Sequence, residues 1–259
     1  GFIYYGCHIH TGNEVLGPIV NYYGSVAILA LPADNQTAGV GFVAWSGDSA
    51  LRPLRNEAPW RAAMKLFPDG ERILAGAMIG GMASMAGLED RRRQFVSEGR
   101  PVATGVVSVA DASAATNPSL GRGISLGFRH VLQLHDVLAT IGLDDPLVLV
   151  EAFHEVTERD LGHWYESTIW HDRRRLRDMI AASQGKQPPH EPEWELFLRF
   201  TSESSGDPVL GMRSLETAML TETPNQVLDD PEIRSRLADL PSSQVEGPTR
   251  TQLLTATSA

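Results

Sequence analysis

The stretch Gly105–Asp136, GVVSVADASAATNPSLGRGISLGFRHVLQLHD, restricts the fold more than any other part of the chain. Val106, Val107 and Val109 form a β-branched run of the kind found in buried strands. A small-residue loop from Asp111 to Leu120 follows, with the turn pair Asn117-Pro118 inside it. From Gly121 onward Ile124, Phe128, Val131 and Leu138 recur at helical spacing, with Leu134 on the same side. The predicted order is strand, acidic residue, loop, Gly-x-Gly, helix. Each part suits a ligand. The free N–H groups at a helix start, with the positive end of its dipole, attract an anionic or electron-rich ligand edge. Gly121 and Gly123 lack a Cβ, so a flat ligand can approach the backbone. Asp111 can accept hydrogen bonds from ligand hydroxyls, and Pro118 stiffens the loop.

Asp111-Ala112, Pro118, Gly121, Gly123 and Asp136 together resemble the second FAD fingerprint of the flavin-dependent monooxygenases and oxidoreductases of the para-hydroxybenzoate hydroxylase and geranylgeranyl reductase type. That fingerprint runs Gly-Asp-Ala, then Pro, then Gly-x-Gly, usually Asn, and an acidic residue down the helix. Two positions depart from it. Ala110 stands where the family usually has Gly, and Ser125 where it often has Asn. The resemblance implies FAD as cofactor, with Asp111 holding the ribityl chain. It implies that the backbone of Arg122, Gly123, Ile124 and Ser125 faces the pyrimidine side of the isoalloxazine, Pro118 and Gly121 completing the set. It also implies NAD(P)H as electron donor and a small organic or apolar substrate.

The family's first FAD motif, a Gly-x-Gly-x-x-Gly after an N-terminal strand, is expected well before this stretch. Gly39-Val-Gly41-Phe-Val-Ala44 carries the pattern by letters only. Asp34-Asn35-Gln36 precedes it where a strand should stand, and Trp45-Ser46-Gly47-Asp48 follows where a helix should continue. It reads as a strand. With Gly1 and Phe2 already in a strand-like run, the chain is expected to be the C-terminal portion of a longer flavoprotein, lacking the N-terminal dinucleotide-binding motif.

Phe2 to His10 alternates with strand period, placing Phe2, Tyr4, Gly6, His8 and His10 on one face and Ile3, Tyr5, Cys7 and Ile9 on the other. Further strands are predicted over Ser25–Leu31, closed by Pro32, and Gly39–Trp45, with loops over Asn13–Asn21 and Asp34-Asn35. Short polar turns between strands argue for an antiparallel sheet. In the family such a sheet carries the substrate over the flavin ring. Tyr4, His8 and His10 are therefore the expected substrate-binding residues.

A helix is predicted over Ala58–Phe67, ended by Pro68-Asp69-Gly70. Ile73–Leu88 suits either a loop or helix lining an apolar cavity or a packed core segment. Arg91–Phe95 leads as an edge strand toward the flavin stretch. Beyond Asp136 the chain turns helical, with a solvated charged face at Asp172–Asp178 and a break at Gln187-Pro188-Pro189. Short helices are predicted at Trp194–Phe200, Pro208–Leu220 and Pro231–Leu240, a loop at Pro241–Pro248, and a further turn or a frayed tail from Thr249. The fold class is α/β, reading as α+β over these residues. Residues 1–100 form a substrate-binding sheet domain, 101–140 the second half of an FAD-binding domain, and 141–259 a helical C-terminal region.

The net charge of −10, with no basic stripe, argues against a nucleic-acid partner. One cysteine, Cys7, excludes an internal disulfide and a cysteine metal cluster and fits a cytoplasmic, reducing setting. No apolar run is long enough for a bilayer-spanning helix. Oligomeric state is left open. His8 and His10 share a strand face but Cys7 points away, and two ligands need a third, so no metal is expected. Ser113 or Ser119 with His130 and Asp136 lacks the Gly-x-Ser-x-Gly elbow of a hydrolase. His154, His163 and His171 read as surface or packed residues. No side chain is singled out as a catalytic acid or base. The rival class is a non-catalytic ligand- or protein-binding module derived from a flavoprotein.

Overall fold

A computed structural model describes residues 1–12, 17–240 and 247–258. The first part of the loop expected at Asn13–Asn21 and nearly all of that at Pro241–Pro248 lie outside the described residues. Strands run β1 Phe2–His10, β2 Ile19–Tyr22, β3 Val26–Ala33, β4 Thr37–Trp45 and β5 Ala77–Ala86. Four two-residue strands follow: β6 Arg91–Arg92, β7 Val96–Ser97, β8 Arg100–Pro101 and β9 Ala114–Ala115. Helices are α1 Glu57–Met64, α2 Gly70–Ala75, α3 Gly123–Ile141, α4 Pro146–Thr157 and α5 His163–Ser183. They continue as α6 Pro192–Glu203, α7 Pro208–Ala218, α8 Pro224–Asp229, α9 Pro231–Asp239 and α10 Arg250–Ser258. No described helix is long and apolar enough to cross a membrane.

The residues group into two compact units: Gly1–Leu88 with Arg174–Ser202 and Pro241–Ala259, and Glu89–Arg173 with Glu203–Leu240. The first is built on an antiparallel sheet, which among the described residues has five strands in the order β2-β3-β4-β1-β5. The predicted alternation in β1 holds. Tyr5, Cys7 and Ile9 enter one core with Ile28, Val40, Phe42, Trp60, Met64 and Phe67. Phe2, on the other face, joins Ala27, Val43 and Met179, with Tyr4 and Leu176 packed against them. Trp60 Nε1 also donates to Tyr5 O at 3.0 Å, locking α1 to the sheet.

Several expectations change. Ile19–Asn21, predicted as the end of a loop, belongs to β2 and pairs with β3, its apolar Ile19 reaching the same core. Pro32 does not close β3, which runs on to Ala33. Pairing with β2 ends at Ala30, and proline is tolerated near the end of a strand where a ladder stops. Most of Ile73–Leu88 is neither loop nor helix but β5, an edge strand on β1. The run Asp172–Asp178 is not a solvated face. Asp172, Arg175 and Asp178, three apart, are all buried. Asp172 accepts from His171, Arg175 donates to the carbonyls of Tyr23 and Val26, and Asp178 accepts from Trp194 Nε1. Buried charges of this kind persist only when paired. The tail forms a full helix, α10, anchored by Arg250 on Asp48 and by buried Leu253.

In the second unit Val106–Val109 forms no strand among the described residues, although Val109 itself has an extended backbone. Val107 and Val109 lean instead on a cluster formed by Val137 of α3 with Leu149 and Phe153 of α4. The apolar stripe predicted along α3 splits. Leu134 and Leu138 pack on α4, whereas Ile124, Phe128 and Val131 are 79, 70 and 48% exposed. The helix is apolar on two faces, and only one is covered.

Candidate functional site

The fingerprint segment is shaped by a left-handed turn and two short 3₁₀ turns, Ala110–Ala112 and Pro118–Leu120. Ala110 has φ +51°, a conformation that crowds any Cβ and costs roughly 1–2 kcal/mol. Glycine would carry no such penalty, which gives a physical meaning to the glycine usual at this place in the resembled fingerprint. The methyl of Ala110 sits over Gly127, where an added Cβ would lie 3.0 Å from it. The absence of a side chain at Gly127 lets α3 approach the turn.

Two further contacts hold the loop. Arg93 N donates to Ser113 O at 2.7 Å, beside the β6–β9 pairing of Arg91 with Ala115 and Arg92 with Ala114. Buried Asn117 donates its backbone N–H to Asp90 Oδ1 at 2.9 Å and its amide to Ser119 Oγ at 2.7 Å. Burial pushes the Asp90 carboxyl above the usual range; the Asn117 bond opposes this and neighbouring Asp172 reinforces it. Pro118 then opens the second 3₁₀ turn, which Gly121 ends at φ +64°. Nothing lies within 4 Å of where a Cβ on Gly121 would be, so the backbone there faces open space.

α3 begins immediately. Its N-cap is Arg122, whose guanidinium is all donors and cannot accept from the first N–H groups. That side chain is buried, with its guanidinium carbon 5.1 Å from the Trp164 ring centre. The helical ladder starts with Leu126 N donating to Arg122 O. The N–H groups of Gly123, Ile124 and Ser125 therefore point out of the helix start. Ile124 and Ser125 are exposed, as is Asp111. A Cβ on Gly123 would lie 4.0 Å from Asp111 Oδ1, so the carboxylate stands beside the first turn of α3. An exposed acceptor, an open left-handed glycine and a row of outward N–H groups thus share one corner.

His130, one turn beyond Gly127, braces this corner. Ala110 N donates to its Nδ1 at 3.2 Å, and its Nε2 lies 2.9 Å from Thr157 Oγ1. Its ring stacks on Phe153 at 4.7 Å. Burial pulls the imidazole below the usual histidine range. The imagined hydrolase triad is not assembled: His130 bonds Ala110 and Thr157, while Asp136 is exposed beside His135. Sequence reading missed Asp90, Asn117, Gly127 and this role of His130. The spacing of Gly123 and Gly127 on one helical face was the available signal of a close approach.

In the first unit Tyr4 is half-buried against its apolar cluster, and His8 and His10 are exposed. Gly39 to Ala44 lies wholly within β4. A cleft beside Tyr22, Tyr23 and Arg175 contains none of the predicted site residues. Among the described residues no three His, Cys, Asp or Glu side chains are grouped to hold a metal.

No protein-family model matches the chain, and no curated protein does. Solved structures do. A triple mutant of the flavin-dependent brominase Bmp2 superposes with a TM-score of 0.54 at 16% identity, covering 91% of this chain and 55% of that one. A flavoprotein/dehydrogenase from Cytophaga hutchinsonii gives 0.49 at 13% identity, covering 92% and 54%. HpxO of Klebsiella pneumoniae, complexed with FAD and uric acid, gives 0.48 at 12% identity, covering 93% and 54%. The likeness to the brominase is one of fold. The chain has an α+β fold with an antiparallel sheet and a helical C-terminal region, matching part of the brominase fold, and it spans about half the length of the structures it matches.

Proposed function

We propose that the chain is part of an FAD-dependent oxidoreductase of monooxygenase-like type, supplying one half of the flavin site. FAD is the cofactor, NAD(P)H the electron donor, and the substrate a small organic or apolar molecule. The observation that carries this reading is the corner where Asp111, Gly121 and the start of α3 converge. Its residues suit a flavin. Asp111 would accept from ribityl hydroxyls. Gly121 leaves room for a flat ring, with Pro118 fixing the preceding turn. The N–H groups of Gly123 to Ser125, with the helix dipole, favour negative charge on a ligand edge placed there. Bound FAD would supply the redox chemistry, and this chain's share is to hold, orient and polarise it. Tyr4, His8 and His10 are proposed for the substrate side.

The uncovered face of α3 supports a further unit packing there. Covering Ile124, Phe128 and Leu132, 64 to 79% exposed, is worth roughly 1.5–3 kcal/mol for each side chain. The same face favours the second reading, a non-catalytic protein-binding module. Flavin fluorescence titration separates the two. Residues 1–259 alone are expected to bind FAD weakly or not at all. The longest in-frame chain containing them is expected to bind one FAD. Stoichiometric, sub-micromolar binding by residues 1–259 would refute the half-site; no binding by the longer chain would favour the module.

A further inference from the structure

We propose that His130 is a positioning residue of this site: its Nδ1 holds the left-handed turn at Ala110 that aims Asp111, and protonating the imidazole releases that turn. The proposal rests on the flavin reading only for what Asp111 then holds. The turn itself stands on hydrogen bonds whose direction is fixed. Thr157 Oγ1 donates its proton to Phe153 O at 2.6 Å, so toward His130 it can only accept. His130 Nε2 must therefore carry the ring proton and donate to Thr157 at 2.9 Å. Nδ1 is left as a lone pair, and Ala110 N–H donates to it at 3.2 Å. A second proton on the ring would set two donors against each other at Ala110. Ala110, a non-glycine residue at φ +51°, then loses the contact that offsets its strain.

The surroundings let the ring act as such a device. His130 is 3% exposed and stacked on Phe153, so its ring orientation is set by packing. The ionisable groups on the elements around it are Asp111 on the turn, Arg129, His135 and Asp136 on α3, Glu151, His154 and Glu155 on α4, and Glu158 at its C-cap. Glu158 is engaged by Arg92, and Arg129 donates to Leu220 O. Burial alone accounts for the lowered proton affinity. With a folded-state value below the unfolded one of about 6.5, the unfolded chain binds the proton more readily. Stability from this histidine is thus fully present above about pH 6.5 and is lost as pH falls toward the folded value.

The test reads Ala110 directly. Amide hydrogen exchange at Ala110, corrected for the intrinsic pH dependence, is followed in the 259-residue chain from about pH 8 to about pH 5. Protection is expected to fall about tenfold as His130 titrates, with neighbours in α3 unaffected. His130→Asn keeps an acceptor near the Nδ1 position and cannot titrate, so its Ala110 protection should stay flat with pH. In the longest in-frame chain, wild-type FAD affinity should weaken roughly three- to tenfold over the same range and the His130→Asn affinity should not. His130→Phe, which keeps the stack but not the acceptor, should be weak at every pH; if it fails to fold, the wild-type and Asn series still decide. Unchanged Ala110 protection while His130 titrates would overturn the proposal, as would equal pH dependence in wild type and His130→Asn. Loss of Ala110 protection as expected, with no FAD binding at any pH, would refute the flavin reading and uphold the His130-held turn.

Discussion

The sheet of the first unit and helix α3 of the second both carry apolar side chains on two sides; among the described residues the sheet packs a core against each side, whereas α3 packs on one. Below one face lies the core around Phe42 and Trp60; on the other, Phe2 and Val43 meet Met179. α3 buries Gly127, His130 and Val137 and leaves Ile124, Phe128, Val131 and Leu132 to solvent. An apolar helix face ordinarily packs against another layer, and here only the polar side of Arg129, Gln133, Asp136 and Thr140 suits water. Beside it, Val106–Val109 joins no strand among the described residues, although Ala112 N donates to Val109 O. The sheet unit carries its large buried core on its own residues, whereas α3 keeps an apolar face open to solvent among the described residues, next to the proposed flavin corner.

The contrast can be broken by substitution. The largest effect is expected in the sheet unit. Trp60→Ala removes a 1% exposed ring and its bond to Tyr5 O, and should cost about 3–5 kcal/mol in denaturant unfolding. A loss below about 1 kcal/mol would mean that the sheet core is not closed as described. Ala110→Gly comes next, with the opposite sign. Relieving the left-handed strain should stabilise by about 1 kcal/mol, and a destabilised variant would show that the turn is not strained. The smallest effect belongs to the exposed face. Phe128→Ser should change stability by less than about 0.5 kcal/mol in these 259 residues, while lowering binding of an apolar dye. A concentration-dependent loss of about 2 kcal/mol would instead show that a second copy already covers the stripe.

Much of this was legible before any coordinates. Strand alternation in β1, the helices flanked by prolines, and the Asp111–Pro118–Gly121–Gly123 spacing all write local physics into local sequence. What was not legible depended on distant partners. Ile19–Asn21 looks like loop until β3 supplies its ladder. Arg175 and Asp178 look solvated until the carbonyls of Tyr23 and Val26 and the Trp194 indole supply their bonds. The stripe on α3 was visible as spacing, but periodicity cannot say which of two apolar faces is covered. At the candidate site, Asp111 and the glycines stand out by spacing, whereas His130 and Asp90 accept from backbone N–H groups 20 and 27 residues away in the chain.

Asp111 carries the central claim, and one paired measurement tests it: apo-protein melting beside FAD titration for wild type, Asp111→Ala and Asp111→Asn in the longest in-frame chain. A carboxylate bonded to ligand hydroxyls contributes about 1.5–3 kcal/mol, so Asp111→Ala should weaken FAD binding roughly ten- to a hundredfold or more. The melting point should barely move, because the exposed side chain packs against nothing it supports. Asp111→Asn should be milder, since its amide oxygen still accepts. Unchanged FAD affinity with a lowered melting point would make Asp111 a structural residue and contradict the flavin site.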